Sequence, residues 1–328
     1  MDFLKVTSSP HMRHEDTTRL IMLDVVIALC PALVWAVYLF GARALTITAV
    51  SVISAVLFEF LYRLLMKKSR SIGDLSAVVT GMLLAFCLPV SVPLWIPVVG
   101  SFFAIVIVKQ LYGGIGKNVV NPALAARVFL FLAFPTQLAT FTAPTEKLPA
   151  FFLKNTEIVA SATPLASLKE GVTPPESLLD LFLGNCGGCI GEVSVLLLLA
   201  GALYLFVRKI ITWQIPVCYI ATVAILSYLF PASGMDAVQY VLTTLCSGGL
   251  ILGAFFMATD YVTSPITPRG QIIFGICLGV LTGLFRVCGA NAEGVSFAII
   301  LSNLFVPIIE KFTIPKAFGQ VKEGKKNE

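Results

Sequence analysis

Charge is what this chain has least of. Only 12% of its 328 residues are Asp, Glu, Lys or Arg, about half of the roughly 25% that soluble domains carry. Histidine occurs twice, and 57% of the residues are hydrophobic. With a mean hydropathy of +0.92, this composition excludes an ordinary soluble domain and predicts an integral membrane protein.

Several motifs are also missing. The sequence contains no Walker loop, no dinucleotide-binding glycine fingerprint and no HExxH, so we do not expect it to bind NAD or hydrolyse ATP by itself. GGIGK at 113–117 lacks the spacing of a phosphate-binding loop. The polar segment before residue 20 does not resemble a cleavable signal, so we expect the first apolar run to be retained.

Long apolar runs fill most of the chain. A bilayer span needs about 20 apolar residues. Runs such as EVSVLLLLAGALYLFV at 192–207 are apolar on every face, which excludes the alternating strands of a membrane barrel. The sequence therefore predicts an all-α integral membrane protein of about ten transmembrane helices, at about 20–40, 44–66, 75–90, 93–112, 123–142, 193–211, 213–231, 241–258, 271–288 and 294–313.

Basic residues set the predicted orientation, because cytoplasmic loops are enriched in Lys and Arg. With the N-terminus inside, 17 of the 23 basic residues are cytoplasmic, Lys109 among them, and five, including Arg43 and Arg286, are outside. Both termini are then cytoplasmic. The long polar connection at 143–192 is then predicted on the outer face. Because the basic residues of cytoplasmic segments account for the net charge of +5, this charge does not indicate nucleic-acid binding.

The chain divides into two similar halves. Small residues precede an abrupt stop of an apolar run at 80–89 and again at 248–260. Five spans per half imply inverted repeats, which place binding sites near the bilayer midplane. We therefore predict five segments: a cytoplasmic N-terminus (1–19), a first half (20–142), an external loop (143–192), a second half (193–313) and a solvated cytoplasmic tail near anionic lipid (314–328).

The external loop contains a short hydroxyl-rich sequence, SATPL at 161–165. A residue before proline is driven into an extended conformation, so the Thr163 hydroxyl is expected to project from the backbone before Pro164. Ser161 and Ala162 are small and leave room for a bulky group. The sequence alone leaves two interpretations open: a phosphoester attachment point, or an ordinary turn with a helix N-cap.

Three acids, Asp24, Glu59 and Asp260, lie in or beside apolar runs. An ionised carboxylate at mid-bilayer costs roughly 2.5–3.5 kcal/mol, so each is a candidate for the pathway of a transported cation or proton. Each also has a structural interpretation. Asp24 pairs with Arg19, Glu59 forms a helical i,i+4 pair with Arg63, and Asp260 caps a neighbouring segment.

Arg127 follows a helix start at Asn121-Pro122. Together with the helix N-terminus it is a candidate for holding an anionic group, such as part of a flavin or a carboxylate. The alternative is a side chain that extends to the inner interface. Cys186 and Cys189 form an isolated CxxC, which is either a disulfide, a partial metal site or without function. A metal site within this chain is not expected, since four ligands are normally required.

Five stretches in order carry a family resemblance: residues 8–33, GGIGKNVVNPALAARVF (113–129), SATPLA (161–166), GNCGGCIGEVS (184–194) and FMATDYVTSPITPRGQIIFG (256–275). They cover nearly the whole chain, which resembles the RnfD component of the Rnf membrane electron-transport complexes and the NqrB component of the sodium-pumping NADH:quinone reductases. The resemblance implies FMN attached through its phosphate to Thr163. Ala160 and Ser161 depart from the family pattern, whereas residues 162–165 fit it.

The resemblance further implies a non-covalent riboflavin and a complex with the other Rnf components, RnfA, RnfB, RnfC, RnfE and RnfG, in contact chiefly with the flavin-bearing RnfG and the NAD-reacting RnfC. A flavin-transferring enzyme would mature the chain. The expected function is electron transfer between ferredoxin and NAD⁺ coupled to outward movement of Na⁺ or H⁺, in a bacterial or archaeal cytoplasmic membrane. Two alternatives remain open: a solute channel or secondary transporter built on inverted repeats, and a passive scaffold for a flavoprotein.

Overall fold

The computed structural model describes residues 17–68, 72–142, 150, 163–169, 171, 174, 176–192, 194–231, 235–289 and 294–315, without the side chains of residues 72 and 288. Ser161 and Ala162 fall outside these residues. Within them the chain is helical, with one isolated β-bridge and no strand. The helices are α1 (Thr18–Phe40), α2 (Ala42–Leu65), α3 (Ser76–Phe86), α4 (Trp95–Phe102), α5 (Pro122–Ala133), α6 (Pro135–Leu138), α7 (Pro164–Lys169), α8 (Leu178–Leu183), α9 (Val195–Val207), α10 (Gln214–Leu229), α11 (Ala237–Cys246), α12 (Leu250–Leu252), α13 (Pro268–Cys288) and α14 (Val295–Thr313).

Four of the described helices, α1, α2, α13 and α14, are long and apolar enough to cross a membrane. A fifth span arises if α11 and the segment that follows it are counted together, although they bend by 61° at their junction. The other predicted spans exist as shorter apolar helices. The all-helical membrane fold is thus confirmed, whereas the ten full spans remain a prediction.

Two predicted spans are broken because the local sequence does not sustain a helix. The segment expected at 75–90 stops at Phe86, and Pro89 and Pro93 follow. The segment expected at 241–258 stops at Cys246, where Gly248 and Gly249 adopt φ of 70° and 64°. A side chain at Gly248 would lie 2.4 Å from Leu165, so the turn there needs glycine for its conformation and for close packing.

Two short helices continue into π-helical segments. α4 runs into Phe103–Gln110, and α12 runs into Gly253–Met257. π-helical turns are uncommon and are frequently found at functional sites. Both segments border the cavity described below.

The helices within 20–142 and those within 193–313, the two predicted halves, show similar contacts. α2 contacts α3 and α4, and α10 contacts α11 and α13. Between the halves, α1 packs on α9 and α5 packs on α14. Gly201 of α9 makes a close approach possible, because a Cβ there would lie 2.2 Å from the carbonyl oxygen of Ala28 in α1. Large apolar side chains such as Val34, Val207 and Phe312 are exposed on the outer faces, as expected for lipid contact.

The connection predicted as an external loop packs on the helix breaks. Ser177 and Asp180 form a capping box that starts α8. The backbone N–H groups of Ile190 and Gly191 donate to the carbonyls of Leu88 and Phe86, at 3.0 and 2.8 Å. The segment at 184–192 therefore joins the end of α3, and the two halves meet at their breaks.

Candidate functional site

A cavity of about 370 Å³ opens within the helical part of the molecule and lies in the volume range of ligand pockets, about 300–1,000 Å³. Its wall is formed by the first turns of α1, the start of α3, the turn before α5, the end of α9 and residues 255–262. Most of the lining is apolar. Its polar side chains include Ser76, Lys109, Asn118 and Asp260.

Asp260 lies on this cavity wall, shortly after the second π-helical segment. Its carboxylate accepts a hydrogen bond from the Thr263 hydroxyl at 3.1 Å and lies beside the Asn118 amide. The structure thus places one of the three predicted acids on a cavity, where a ligand or cation can reach it.

Glu59 is fully buried in α2 and carries more partners than predicted. Lys109 Nζ lies 2.9 Å from one carboxylate oxygen, and Gln110 Nε2 donates to the other at 2.9 Å. The expected i,i+4 pair is also present, with Arg63 Nε at 3.8 Å. Sequence reasoning missed the role of Lys109, which it counted as cytoplasmic at the end of the predicted span 93–112. Lys109 is only 3% exposed and lies in the first π-helical segment.

Asp24 does not pair with Arg19, so that structural interpretation was wrong. Its carboxylate accepts hydrogen bonds from Tyr204 Oη at 2.7 Å and from Arg208 Nη2 at 3.1 Å, on or just after α9. Since helix α1 carries Asp24, the contact joins the two halves. Among the described residues, Asp24 makes no hydrogen bond or ion pair with Glu59 or Asp260, so the three predicted acids do not form one cluster there.

Asn121 caps α5 as predicted, accepting from the N–H groups of Ala123 and Leu124 at 3.0 and 3.4 Å. Its amide nitrogen also donates to the Met257 carbonyl at 3.1 Å. Arg127 is 5% exposed, and its guanidinium lies 5.3 Å from the centre of the Phe131 ring. Its burial contradicts the alternative in which Arg127 extends to the interface.

Thr163 lies at the start of α7, and its hydroxyl oxygen accepts from the Ala166 N–H at 3.3 Å. The hydroxyl therefore acts as a helix cap, which was the alternative to attachment, and this bond leaves its proton uncommitted. Thr163 is 8% exposed. It borders a void of about 10 Å³ together with Pro164, Cys186, Cys246 and Gly248.

Cys186 and Cys189 are both thiols, so the disulfide interpretation was wrong for this structure. Burial, with the Glu192 and Glu176 carboxylates adding to it, raises the pKa of the Cys186 thiol to about 12. The described residues contain no cluster of three or more metal-ligating side chains, and a two-cysteine metal site lacks its further ligands.

Two buried arginines bind the helix breaks, although the sequence assigns them to outer loops. Arg43 donates to the Val92 carbonyl at 2.8 Å. Arg286 donates to the carbonyls of Thr244 and Ser247 at 2.7 and 3.1 Å. The signal in the sequence was that each arginine lies close to an apolar run. The count of basic residues, which was used for orientation only, did not take this into account.

The large cavity and the Thr163 void lie at opposite ends of α9. Leu205, near the end of that helix, lines the cavity, whereas Glu192, just before its start, lines the void. Thirteen residues of α9 at 1.5 Å each separate them by about 20 Å. The structure therefore has two candidate sites, one towards each side of the helical layer.

Comparison with known proteins gives a consistent result over almost the full chain. Residues 5–319 match the NQR2, RnfD, RnfE family model. The chain is 49% identical over 322 residues to the D component of the Na⁺-translocating ferredoxin:NAD⁺ oxidoreductase complex of Acetobacterium woodii, covering 97% of this chain and 96% of the relative. It is 41% identical over 326 residues to the D component of the proton-translocating complex of Clostridium ljungdahlii, covering 96% of each. It is also 42% identical over 331 residues to the D component of an ion-translocating oxidoreductase complex of Stutzerimonas stutzeri, covering 93% of each.

Proposed function

This chain belongs to the NQR2, RnfD, RnfE family, and from that membership we propose that it is the RnfD component of an ion-translocating ferredoxin:NAD⁺ oxidoreductase. The observation that carries the proposal is full-length similarity, at 41–49% identity, to the corresponding component of two such complexes. The chain is one component of a multi-component redox enzyme. It works with RnfA, RnfB, RnfC, RnfE and RnfG, of which RnfG and RnfC are its closest redox neighbours.

On this proposal FMN is attached to Thr163 through a phosphoester. The hydroxyl suits this chemistry, because its oxygen accepts one backbone N–H and its proton remains replaceable. The void beside it, about 10 Å³, does not fit an isoalloxazine ring, so Thr163 would hold the phosphate and the ring would need space outside the void. Pro164 begins α7 and fixes the direction of the attachment, and Ser161 and Ala162 precede it in sequence. The flavin supplies one-electron and two-electron transfer.

The large cavity fits a second, non-covalent flavin, proposed as riboflavin. Its apolar walls match the faces of a planar ring, and Asn118 offers an amide to the polar edge of the ring. Asn121 fixes the turn beside it through the cap of α5. Arg127 borders a void together with Glu192 and Gly248, both of which also line the void beside Thr163, so Arg127 remains the candidate for holding an anionic group of the flavin.

The proposed topology has ten membrane segments in two inverted halves, with both termini in the cytoplasm. The equivalent packing of α2 and α10, and the direct contacts α1–α9 and α5–α14, support this arrangement. The Thr163 loop then faces outward and the large cavity faces inward, because they lie at opposite ends of α9. Glu59 and Asp260 lie towards the inner side of the membrane in this topology and form the proposed ion pathway. Asp24 joins the two halves.

Covalent attachment tests the proposal directly. The complex, produced together with its flavin-transferring enzyme, is separated on a denaturing gel and inspected for flavin fluorescence. The wild-type chain is expected to fluoresce, and the non-covalent flavin is expected in the released fraction. Thr163→Val removes the hydroxyl at nearly constant volume and should abolish the band. Ser167→Ala, four residues along, is the matched control and should keep it.

A wild-type chain without fluorescence would contradict the flavin carrier, and so would a band that survives Thr163→Val. A band that disappears while electron transfer from ferredoxin to NAD⁺ continues at the wild-type rate would favour the scaffold interpretation. A complex that carries no electrons would return the chain to the transporter class.

A further inference from the structure

Lys109 occupies a position that is suited to a bound cation. Its Nζ lies 2.9 Å from Glu59 Oε2 and 2.6 Å from Ser76 Oγ. These oxygens come from α2 and from the first residue of α3. Carboxylate and hydroxyl oxygens are hard ligands, and the same two atoms would serve a small hard cation equally well.

The hydroxyl of Ser76 is oriented for this role. Its Oγ donates to Asp74 Oδ1 at 2.6 Å, as does the Ser76 backbone N–H at 2.9 Å. Because its proton is committed to Asp74, the oxygen presents its lone pairs to the cation. The Asp74 carboxylate thus fixes a ligand for the cation without touching the cation itself.

Gln110 supplies a second, independent observation. Its amide nitrogen donates to Glu59 Oε1, but its Oε1 is buried without a donor among the residues that the structure describes. A buried acceptor without a donor is unfavourable, because it has lost its hydrogen bonds to water. Rotation of the Gln110 amide would turn its Oε1 towards Glu59. A metal cation bound there would coordinate this oxygen, and the Glu59 carboxylate would then no longer need the hydrogen bond from the Gln110 N–H.

The large cavity offers the Lys109 ammonium an alternative position. Lys109 and Ser76 both line the large cavity, and Asp260 lies on the same wall. The lysine side chain has four flexible carbons, and Lys109 belongs to a π-helical segment that departs from regular α-helical hydrogen bonding. The cavity therefore offers space beside Lys109, with the Asp260 carboxylate on the same wall.

We propose that Glu59 Oε2, Ser76 Oγ and, after rotation, Gln110 Oε1 form a Na⁺ site, and that the Lys109 ammonium is a tethered competitor for it. Na⁺ binds when Lys109 turns towards the cavity, and Lys109 displaces Na⁺ when it returns. Arg63 Nε lies 3.8 Å from Glu59 as well, and the competition keeps a second cation beside this buried carboxylate in both states, which limits uncompensated charge inside the membrane. This inference rests on the proposed function, since it describes how that complex would bind its transported cation.

The test uses inverted membrane vesicles that contain the whole complex, with ferredoxin oxidation driving uptake of ²²Na⁺ at varied Na⁺ concentration. Lys109→Met removes the charge but keeps most of the length. The Na⁺ concentration for half-maximal uptake is expected to fall about tenfold, equivalent to about 1.4 kcal/mol. Lys109→Arg keeps the charge and should stay near the wild-type value. Adding Ser76→Ala to Lys109→Met should raise the concentration again, because a ligand is lost.

An unchanged or higher half-saturating concentration in Lys109→Met would overturn the competition, and so would a wild-type complex that takes up no ²²Na⁺. If Lys109→Met does not assemble, Gln110→Ala leaves the Lys109–Glu59 pair in place. It should raise the half-saturating concentration, and an unchanged value would overturn the site. Covalent flavin and electron transfer are measured on the same vesicles. If both are normal, a failed Na⁺ result refutes only the site; if both are lost, the proposed function fails.

Discussion

Gly201 is a point where the two halves approach closely, and a single methyl group there tests their packing. In Gly201→Ala the new Cβ would lie 2.2 Å from the Ala28 carbonyl oxygen and 3.2 Å from the Phe256 ring. The nearest atom belongs to the backbone of α1, so it cannot move aside as a flexible side chain would. Overpacking of this kind costs about 1–3 kcal/mol, which exceeds the roughly 1 kcal/mol that Ala gains over Gly within a helix.

The assay is thermal unfolding of the purified complex in detergent, followed by tryptophan fluorescence at one fixed scan rate, because apparent midpoints depend on the rate. For a large domain, 1 kcal/mol corresponds to about 2–4 °C. Gly201→Ala should lower the apparent midpoint by a few degrees. Gly73→Ala is the control, since none of the atoms that the structure describes lies within 4 Å of a Cβ there. Equal midpoints for the two variants would refute the close packing of α1 on α9.

Two further predictions concern single side chains. Tyr204→Phe removes the 2.7 Å hydrogen bond to Asp24 and should destabilise the protein by about 1 kcal/mol in the same thermal assay, whereas no change would show that the contact does not contribute. Because the pKa of Cys186 is raised to about 12 from an ordinary value near 8.5, its thiol should react with iodoacetamide at pH 8 far more slowly than in the unfolded chain. The unfolded thiol ionises first, so raising the pH through this window should destabilise the fold, and equal alkylation rates would contradict the burial.

The features that could be predicted from the sequence are those that depend on interactions between residues close together in the chain. The helix start at Asn121-Pro122 needs only one side chain and the backbone that follows it, and the structure shows that cap. The all-helical membrane class follows from the apolar runs in the same way. The neighbours of Thr163 single it out in the sequence, and the structure places it at a helix start beside the break of α11.

Contacts between distant segments were beyond the sequence. Lys109 lies 50 residues from Glu59 and bonds to it only because α2 and the first π-helical segment pack together. A count of basic residues in loops could not separate such a buried lysine from an exposed one. The 61° break after α11 was hidden in a continuous apolar run, because hydropathy does not report the backbone conformation of Gly248 and Gly249.

The first π-helical segment determines which way its last residues face. In this segment the Leu111 N–H bonds to the Val106 carbonyl, five residues back, so the segment holds one residue more than an α-helix of the same height. Each residue of an α-helix turns the chain by about 100°. If the same residues wound as a regular α-helix, the extra residue would rotate those that follow it by about 100° and turn Lys109 and Gln110 away from Glu59. The π-helical turn therefore determines which side chains of the segment face α2. The orientation of the buried Lys109 charge depends on the number of residues in the segment as well as on side-chain identity.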